Sequence, residues 1–600
     1  MNELHDIKLS ANALTVLEQR YLLRNDEGKV VESPLGMFRR VARAVASANK
    51  KYNDDPKLSE NEFYQMMAKL EFLPNSPTLM NAGTSIGQLS ACFVLPLEDS
   101  LDKIFKTIHD AAIIQKSGGG TGFSFSSLRP KGDPVKTTMG IASGPVSYMR
   151  VFNAATETIK QGSKRRGANM GILHVSHPDI IEFISCKSDL KQMNNFNISV
   201  AIDDKFMRSV KKDQEYPLIN PRTNQIVRKV RAHDIWNLII TMAWKTGDPG
   251  IIFIDEINRK NQLPNIDTIE STNPCGEMPL LPYESCNLGS INLSKFIKND
   301  RLSRKPDIDW IKLKKTIHLA VRFLDNIIDI NKYPMPEIEK ITKANRKIGL
   351  GIMGFANMLT QLRISYDSKN AVELAENLMK FIKYEATNAS EELGKRRGSF
   401  PNIKSSVWFK KCKAMRNSTV TTIASTGTLS IIANCSSGIE PLFAISYIRN
   451  ILDGRKLVET DHYFEQTAKE KKFFNHTIMA KIAKSDSIQP IKEIPADVRK
   501  IFKTAHDVSP EQHVRMQAAF QKYTDNAVSK TINLPKTSSI KDIEKAFMLA
   551  YKLKCKGITA YRYGSKPNQV FSIADQTKNK TATAESDFSG DCPFPMCSGV

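Results

Sequence analysis

The chain of 600 residues predicts an α/β protein, and two observations carry that expectation. Helical and strand-like segments alternate through its middle: residues 233–244 carry apolar side chains at helical spacing, 250–255 (GIIFID) read as a buried strand with a polar end, and 311–330 and 371–393 are helical again. Such alternation is the pattern of helices packed on a sheet. The composition, 41% apolar and 25% charged, is that of a globular protein able to bury a core. Periodicity alone does not separate a closed barrel from an open sheet, and length leaves the number of domains open.

A net charge of +23 favours anionic ligands, whether nucleotides, nucleic acid or acidic partners. The lysines are scattered, as in the separated pairs Lys410-Lys411 and Lys471-Lys472, and no basic stripe is interleaved with aromatics. Small anionic substrates are therefore expected, without a stable nucleic-acid partner. Nine cysteines, with no signal-like apolar run after Met1, point to reduced thiols in the cytoplasm instead of a secreted disulfide scaffold. No stretch approaches the roughly 20 consecutive apolar residues of a membrane span, so no membrane partner is expected.

Taken in order, residues 1–72 form a helical scaffold: Leu14, Leu17 and Tyr21 fall at i, i+3 and i+7, and Met37, Val41 and Val45 recur every fourth residue. The turn-rich block 73–83, which holds Ser76, leads into a short apolar strand within 88–96 that carries Ala91 and Cys92. On such a strand a lone cysteine is ordinarily a core residue. Asp99, Ser100 and Leu101 then open a helix, with Asp and Ser as good caps and Ile104, Phe105 and Ile108 at helical spacing.

The cluster SGGGTG at 117–122 lets backbone amides, including that of Gly120, approach a ligand, but it has neither P-loop nor dinucleotide-fingerprint spacing. Two loops follow: 129–134, opening on Arg129, and the glycine-bracketed basic run 162–167, with Lys164 and Arg165, suited to phosphate or base. Residues 418–423 form a β-branched strand before a hydroxyl-rich turn. Ser425, Thr426, Gly427 and Thr428 then offer free amides and hydroxyls to an anion at a helix start, and read equally as ordinary capping. Cys435 reads as structural. From 566 to 600 the chain is a polar, flexible tail that ends with Cys592 and Cys597, either a thiol-exchange pair or half of a zinc site. Structural zinc wants four ligands; no local Cys or His completes the set, so no metal site is assigned.

The stretch 271–294, STNPCGEMPLLPYESCNLGSINLS, organises the rest. Pro274 and Gly276 disfavour helix, so 273–277 is expected to run extended, with Asn273, Cys275 and Glu277 on one face. An amide, a sulfur and a carboxylate would then converge on one ligand. The block NPCGE, followed nine residues after Glu277 by Cys286 in ESCNLGSINL, resembles the finger loop of ribonucleotide reductases. The flanking Pro274 and Gly276 resemble the adenosylcobalamin-dependent class more than the iron-dependent one.

The resemblance covers most of residues 70–565. It implies a ten-stranded α/β barrel over 73–565 with the finger loop through its middle, and reduction of ribonucleoside diphosphates to 2′-deoxyribonucleotides with adenosylcobalamin as cofactor. In that scheme Cys275 becomes a thiyl and takes the 3′ hydrogen, Glu277 accepts the 3′-hydroxyl proton, and Asn273 holds the sugar. Cys92 and Cys286 are oxidised to a disulfide, which Cys592 and Cys597 reduce with electrons from thioredoxin or a similar dithiol. The substrate lies against Ser76, Ala91, Cys92, Gly120, the turn that includes Pro274 and Gly276, and Ser425 to Thr428 at its diphosphate. A (d)NTP effector lies at Asp99, Ser100 and Leu101, with the loops of Arg129 and of Lys164 and Arg165 as specificity loops. A homodimer is the family expectation.

The chain lacks a D-x-H-x-x-G signature, so cobalamin would keep its own base on cobalt. The iron-dependent class relays its radical through two adjacent tyrosines, whereas here Arg562 separates Tyr561 from Tyr563. Two other readings stay open: the large subunit of an iron- or manganese-dependent reductase, and a catalytically silent nucleotide-sensing or nucleic-acid-binding protein on the same scaffold.

Overall fold

The computed structural model describes residues 7–135, 139–159, 167–299, 306–450, 456–566 and 571–572. The chain begins with three α-helices, Ala11–Arg20, Pro34–Ala46 and Pro56–Ala68, whose first turns are closed by Ser10, Ser33 and Asp55. These side chains accept from backbone N–H groups that have no partner inside the helix. Met37, Val41 and Val45 face the core as their spacing predicts, but Leu14 does not: the buried stripe of the first helix runs through Ala13, Val16 and Leu17, leaving Leu14 on its rim.

The middle of the chain is a closed barrel. Cys92–Val94, Gly120–Ser124, Asn169–His174, Phe196–Ile202 and Gly250–Phe253 pair side by side, all parallel. A second parallel set starts with Ser285–Asn292 and Ile348–Met353 and ends with Thr531–Leu534 and Gly557–Arg562. Between them runs the backbone of 420–423, which bridges Leu350 on one side and, through Ile423, Val528 on the other. The two sets meet antiparallel, at Cys92 opposite Cys286 and at Ile251 opposite Ile558. Following the pairs from neighbour to neighbour returns to the starting strand after ten members, which is the ten-stranded barrel. The short strand Phe72–Pro74 pairs on the outer edge of Ser285–Asn292.

The β-branched run 418–423 therefore contributes a barrel rung held by isolated bridges instead of a full ladder. Helices cover the barrel: Trp310–Ile330 packs against Lys369–Arg397, and Pro510–Gln521 against Ile540–Lys552. Residues between 445 and 502 enclose a small separate core around Phe464, Ile482 and Ile494.

Inside the barrel lies a hairpin, Ser271–Thr272 paired with Pro279–Leu280. It fits because the facing strand is glycine-rich: a Cβ on Gly122 would stand 1.7 Å from the Thr272 carbonyl oxygen, and one on Gly120 would meet the Pro274 ring at 3.0 Å. The glycine cluster at 117–122 thus makes room for protein backbone, and the Gly120 N–H is already spent on the Ala91 carbonyl at 2.8 Å.

Candidate active site

The tip of the hairpin is a tight turn and not the extended segment its sequence suggested. The Gly276 N–H donates to the Asn273 carbonyl at 3.0 Å, and Gly276 adopts φ +80°. Asn first, Pro second and Gly fourth is the residue preference of a type I turn. The Asn273 side-chain carbonyl also accepts from Met278 N at 2.9 Å, locking the turn from within. Asn273, Cys275 and Glu277 still line one cavity, because the turn curls them round it.

Both barrel halves hold the hairpin. From the first, Asn197 Nδ2 donates to the Pro274 carbonyl at 2.8 Å. From the second, Ala527 N and Thr422 Oγ1 both donate to the Glu277 carbonyl at 2.8 Å. Ser425 Oγ lies 3.9 Å from Cys275 Sγ.

Ala91, Cys92, Gly120, Asn273, Pro274, Cys275, Glu277 and Thr426 share the cavity. At about 40 Å³ it is far smaller than the ~300–1,000 Å³ of ordinary ligand pockets. Cys92 stands on its wall, and Asn273 Nδ2 donates to Cys92 Sγ at 3.2 Å. Cys286 lies directly opposite Cys92 on the neighbouring strand, fully buried behind it. Opposed residues of antiparallel strands have Cα atoms ~4.5–5.5 Å apart, within the usual disulfide range of ~4.4–6.8 Å. Burial pushes the Cys286 thiol well above the ordinary thiol range, with Lys347 opposing.

On the other side of the turn, Pro274, Cys275 and Gly276 border a second cavity with Asn197, Ser199 and Thr559 among its polar walls and Met170 and Ile252 among its apolar ones. The space where a Gly276 Cβ would stand is open. Cys275 is thus reached from two separate spaces.

Ser425 and Thr426 lie in the interior ahead of the helix Gly427–Ala433, and Thr428 is buried in its first turn. Thr426 is left-handed at φ 51°, a conformation costly for a threonine, and its Oγ1 accepts from Gly438 N at 2.7 Å. Arg20, from the N-terminal region expected to be scaffold only, reaches Thr428 Oγ1 at 3.5 Å. Ser76 is buried beneath the site and hydrogen-bonded to the Tyr21 hydroxyl at 2.8 Å, while its neighbour Asn75 lines the cavity. Sequence reasoning missed Asn75, Asn197 and Arg20. Asn75 was visible as the N-cap of Ser76–Asn81; Arg20 and Thr428 are 408 residues apart, and nothing local joins them.

Asp99 does not cap the following helix. Ser100 holds the cap position of Leu101–Lys116 without a side-chain hydrogen bond. The Asp99 carboxylate instead accepts from Arg129 Nε at 2.7 Å and from Arg129 N at 3.2 Å, which joins two of the residues expected at an effector site. Leu101 is exposed. Lys164, Arg165, Cys592 and Cys597 lie outside the described residues.

The family model for the ribonucleotide reductase barrel domain matches residues 90–561, and that for the ribonucleotide reductase all-alpha domain matches 7–87. A protein of Thermoplasma acidophilum named vitamin B12-dependent ribonucleoside-diphosphate reductase is 47% identical, the match covering 97% of this chain and 82% of that one. One of the same name from Mycobacterium tuberculosis is 46% identical over 99% of this chain and 84% of its own length. Among solved structures, the class Id ribonucleotide reductase alpha subunit of Actinobacillus ureae superposes with a TM-score of 0.76 over 93% of this chain and 97% of that one, at 23% identity, a likeness of fold. With both of its domains matched and a ten-stranded barrel closed around a cysteine-bearing hairpin, the chain belongs to the ribonucleotide reductase large-subunit family.

Proposed function

We propose that this chain reduces ribonucleoside diphosphates to 2′-deoxyribonucleoside diphosphates by a radical mechanism that depends on adenosylcobalamin. The observation that carries the reading is the placement of Cys275 at the hairpin tip inside the barrel, in one cavity with Cys92, Asn273 and Glu277. The names of the 46% and 47% identical relatives support the diphosphate substrate and the B12 dependence.

The second cavity lies where a cofactor would reach the Cys275 sulfur from the side away from the substrate, and at about 60 Å³ it has to open to admit one. Ser199, Asn197 and Thr559 would hold polar edges, Met170 and Ile252 an apolar face, and the open side of Gly276 leaves the approach clear. When bound, adenosylcobalamin supplies a radical equivalent by homolysis of its cobalt–carbon bond. Cys275, as a thiyl, takes the substrate's 3′ hydrogen, and the bonds from Asn197, Ala527 and Thr422 fix the turn while it does so. Glu277, buried beside it, accepts the 3′-hydroxyl proton. Loss of the 2′-hydroxyl as water takes two electrons and two protons, which Cys92 and Cys286 deliver as they close a disulfide. Cys275 then returns its hydrogen to the 3′ position and is left as the thiyl, and Glu277 returns the proton to the 3′ oxygen. The closed barrel keeps water from the radical.

Ser425, Thr426, Gly427 and Thr428, with Arg20 behind them, form the cradle for the diphosphate. Asp99 and Arg129 form part of a (d)NTP effector site with Lys164 and Arg165, and Cys592 with Cys597 pass electrons from thioredoxin or a similar dithiol. Exposed Leu101, Phe105, Ile113 and Val151 on two packed helices support docking of a second copy. No helix among the described residues is long and apolar enough to cross a membrane, in keeping with a cytoplasmic enzyme. The test is conversion of CDP to dCDP by the purified chain, with a dithiol and an effector, in the presence and absence of adenosylcobalamin.

A further inference from the structure

Away from the active site, the outer face of the barrel holds a cavity of about 610 Å³, large enough for a nucleotide-sized ligand. Four segments meet there: the helix Ile254–Arg259 with the residues just after it, the first half of Lys369–Arg397, the end of Pro510–Gln521 with the turn after it, and the turn leading into Gly557–Arg562. Its walls carry six cationic side chains and three carboxylates. The carboxylates are already engaged: Asp525 pairs with Lys383 at 2.5 Å, Glu376 with Lys522, and Glu256 with Arg259. Lys260, Arg515, Lys554 and Lys556 are left with no carboxylate at salt-bridge distance among the described residues.

Lys556 is the decisive member. It is 4% exposed, yet its ammonium has one hydrogen bond, to the Asp525 carbonyl at 2.6 Å, where an ammonium can make three. A buried cation without a paired anion is costly. Burial pushes Lys556 down to about 7, with Asp525 and Glu256 opposing. An anion in the cavity would supply the missing acceptors and hold the lysine charged. The other three cations stand at the rim, placed to meet further charge.

We infer that this cavity is a binding site for a polyphosphate anion, taken either as inorganic polyphosphate or as the phosphate chain of a nucleotide. Four cations converging from three sides suit several phosphate groups, since each phosphate oxygen accepts charge-assisted hydrogen bonds. The site borders the rung that closes the barrel, because the Asp525 carboxylate also accepts from Val420 N at 2.9 Å.

The test is calorimetric titration of the full chain with inorganic tripolyphosphate. Wild type is compared with a K260Q/R515Q/K554Q variant, whose changes are all at exposed positions, and with a K469Q/K471Q/K481Q variant of equal charge loss in the 445–502 subdomain. The inference requires binding by wild type, roughly tenfold or more weaker binding in the first variant, and unchanged binding in the second. Equal affinity in all three proteins, equal weakening in both variants, or no binding by wild type overturns it. Competition by ATP for the variant-sensitive binding assigns the nucleotide as source; failure to compete assigns inorganic polyphosphate.

Discussion

Cys92 and Cys286 face each other as direct partners across the antiparallel junction between the two parallel halves of the barrel. The Asn273 amide, at the hairpin tip, touches the first of them at 3.2 Å. In the proposed reaction these two thiols, one on the cavity wall and one buried behind it, are the electron donors.

The pair therefore predicts a stoichiometry. Incubated with CDP, cofactor and effector but no external reductant, the pre-reduced chain should form dCDP once for each competent dithiol and then stop. Peptide mapping of the spent protein should find Cys92 joined to Cys286. Those peptides recovered as free thiols once turnover has stopped would exclude the pair as reductant.

Cys275→Ser should lower turnover by at least roughly a thousandfold, while CDP binding stays within a few-fold of wild type. Rapid-quench assays and equilibrium dialysis separate the two. Residual activity near a tenth of wild type would remove the thiyl assignment.

Gly122→Ala should destabilise the protein by at least about 3 kcal/mol, because the new methyl would overlap the Thr272 carbonyl oxygen. Gly132→Ala, where no atom lies within 4 Å of the added Cβ although φ is +84°, should cost only the smaller conformational penalty of about 1 kcal/mol. Denaturant midpoints of the two variants give the comparison, and equal losses would mean that the hairpin does not need the close approach.

Asp99→Ala should leave the helix Leu101–Lys116 intact, since Asp99 makes no cap there, and should free Arg129. Helix content by circular dichroism should not change, whereas effector-dependent choice between CDP and ADP should weaken. Unaltered selectivity would leave Asp99 as a surface ion pair only.

Asp329 predicts a dependence on acid. Burial would raise its carboxyl, but Arg346 and the hydrogen bond from Tyr52 outweigh it and hold the group at about 2. A carboxyl lowered in the folded state stabilises above its unfolded value of about 3.9, and that stability is lost as pH falls through about 2. The contribution is of order 2 kcal/mol at neutral pH. Asp329→Asn should lose about that much at pH 7 and progressively less below pH 4. A gap between variant and wild type that is independent of pH from 7 to 3 would contradict the linkage.

Much of this was legible in the chain, and the limits are physical. Helices such as Trp310–Ile330 and Lys369–Arg397 follow from apolar spacing, and the strands from short apolar runs. The turn at 273–276 was readable from Asn, Pro and Gly in a type I order, yet the same proline and glycine argue for an extended loop when taken singly. The glycines at 117–122 looked like a ligand cradle because nothing in the sequence says that another backbone will occupy their space. Asp99 looked like a cap because local pattern sees only the next helix, while Arg129 is 30 residues away. Contacts such as Arg20 with Thr428 arise from packing between distant segments, and periodicity carries no trace of them.

The most direct measurement is anaerobic conversion of CDP to dCDP by the purified chain alone with a small dithiol and a deoxynucleotide effector, with and without adenosylcobalamin. The proposed function predicts turnover only when the cofactor is present. Turnover without it, or none with it in folded chain that still binds CDP, would contradict a cobalamin-dependent reductase.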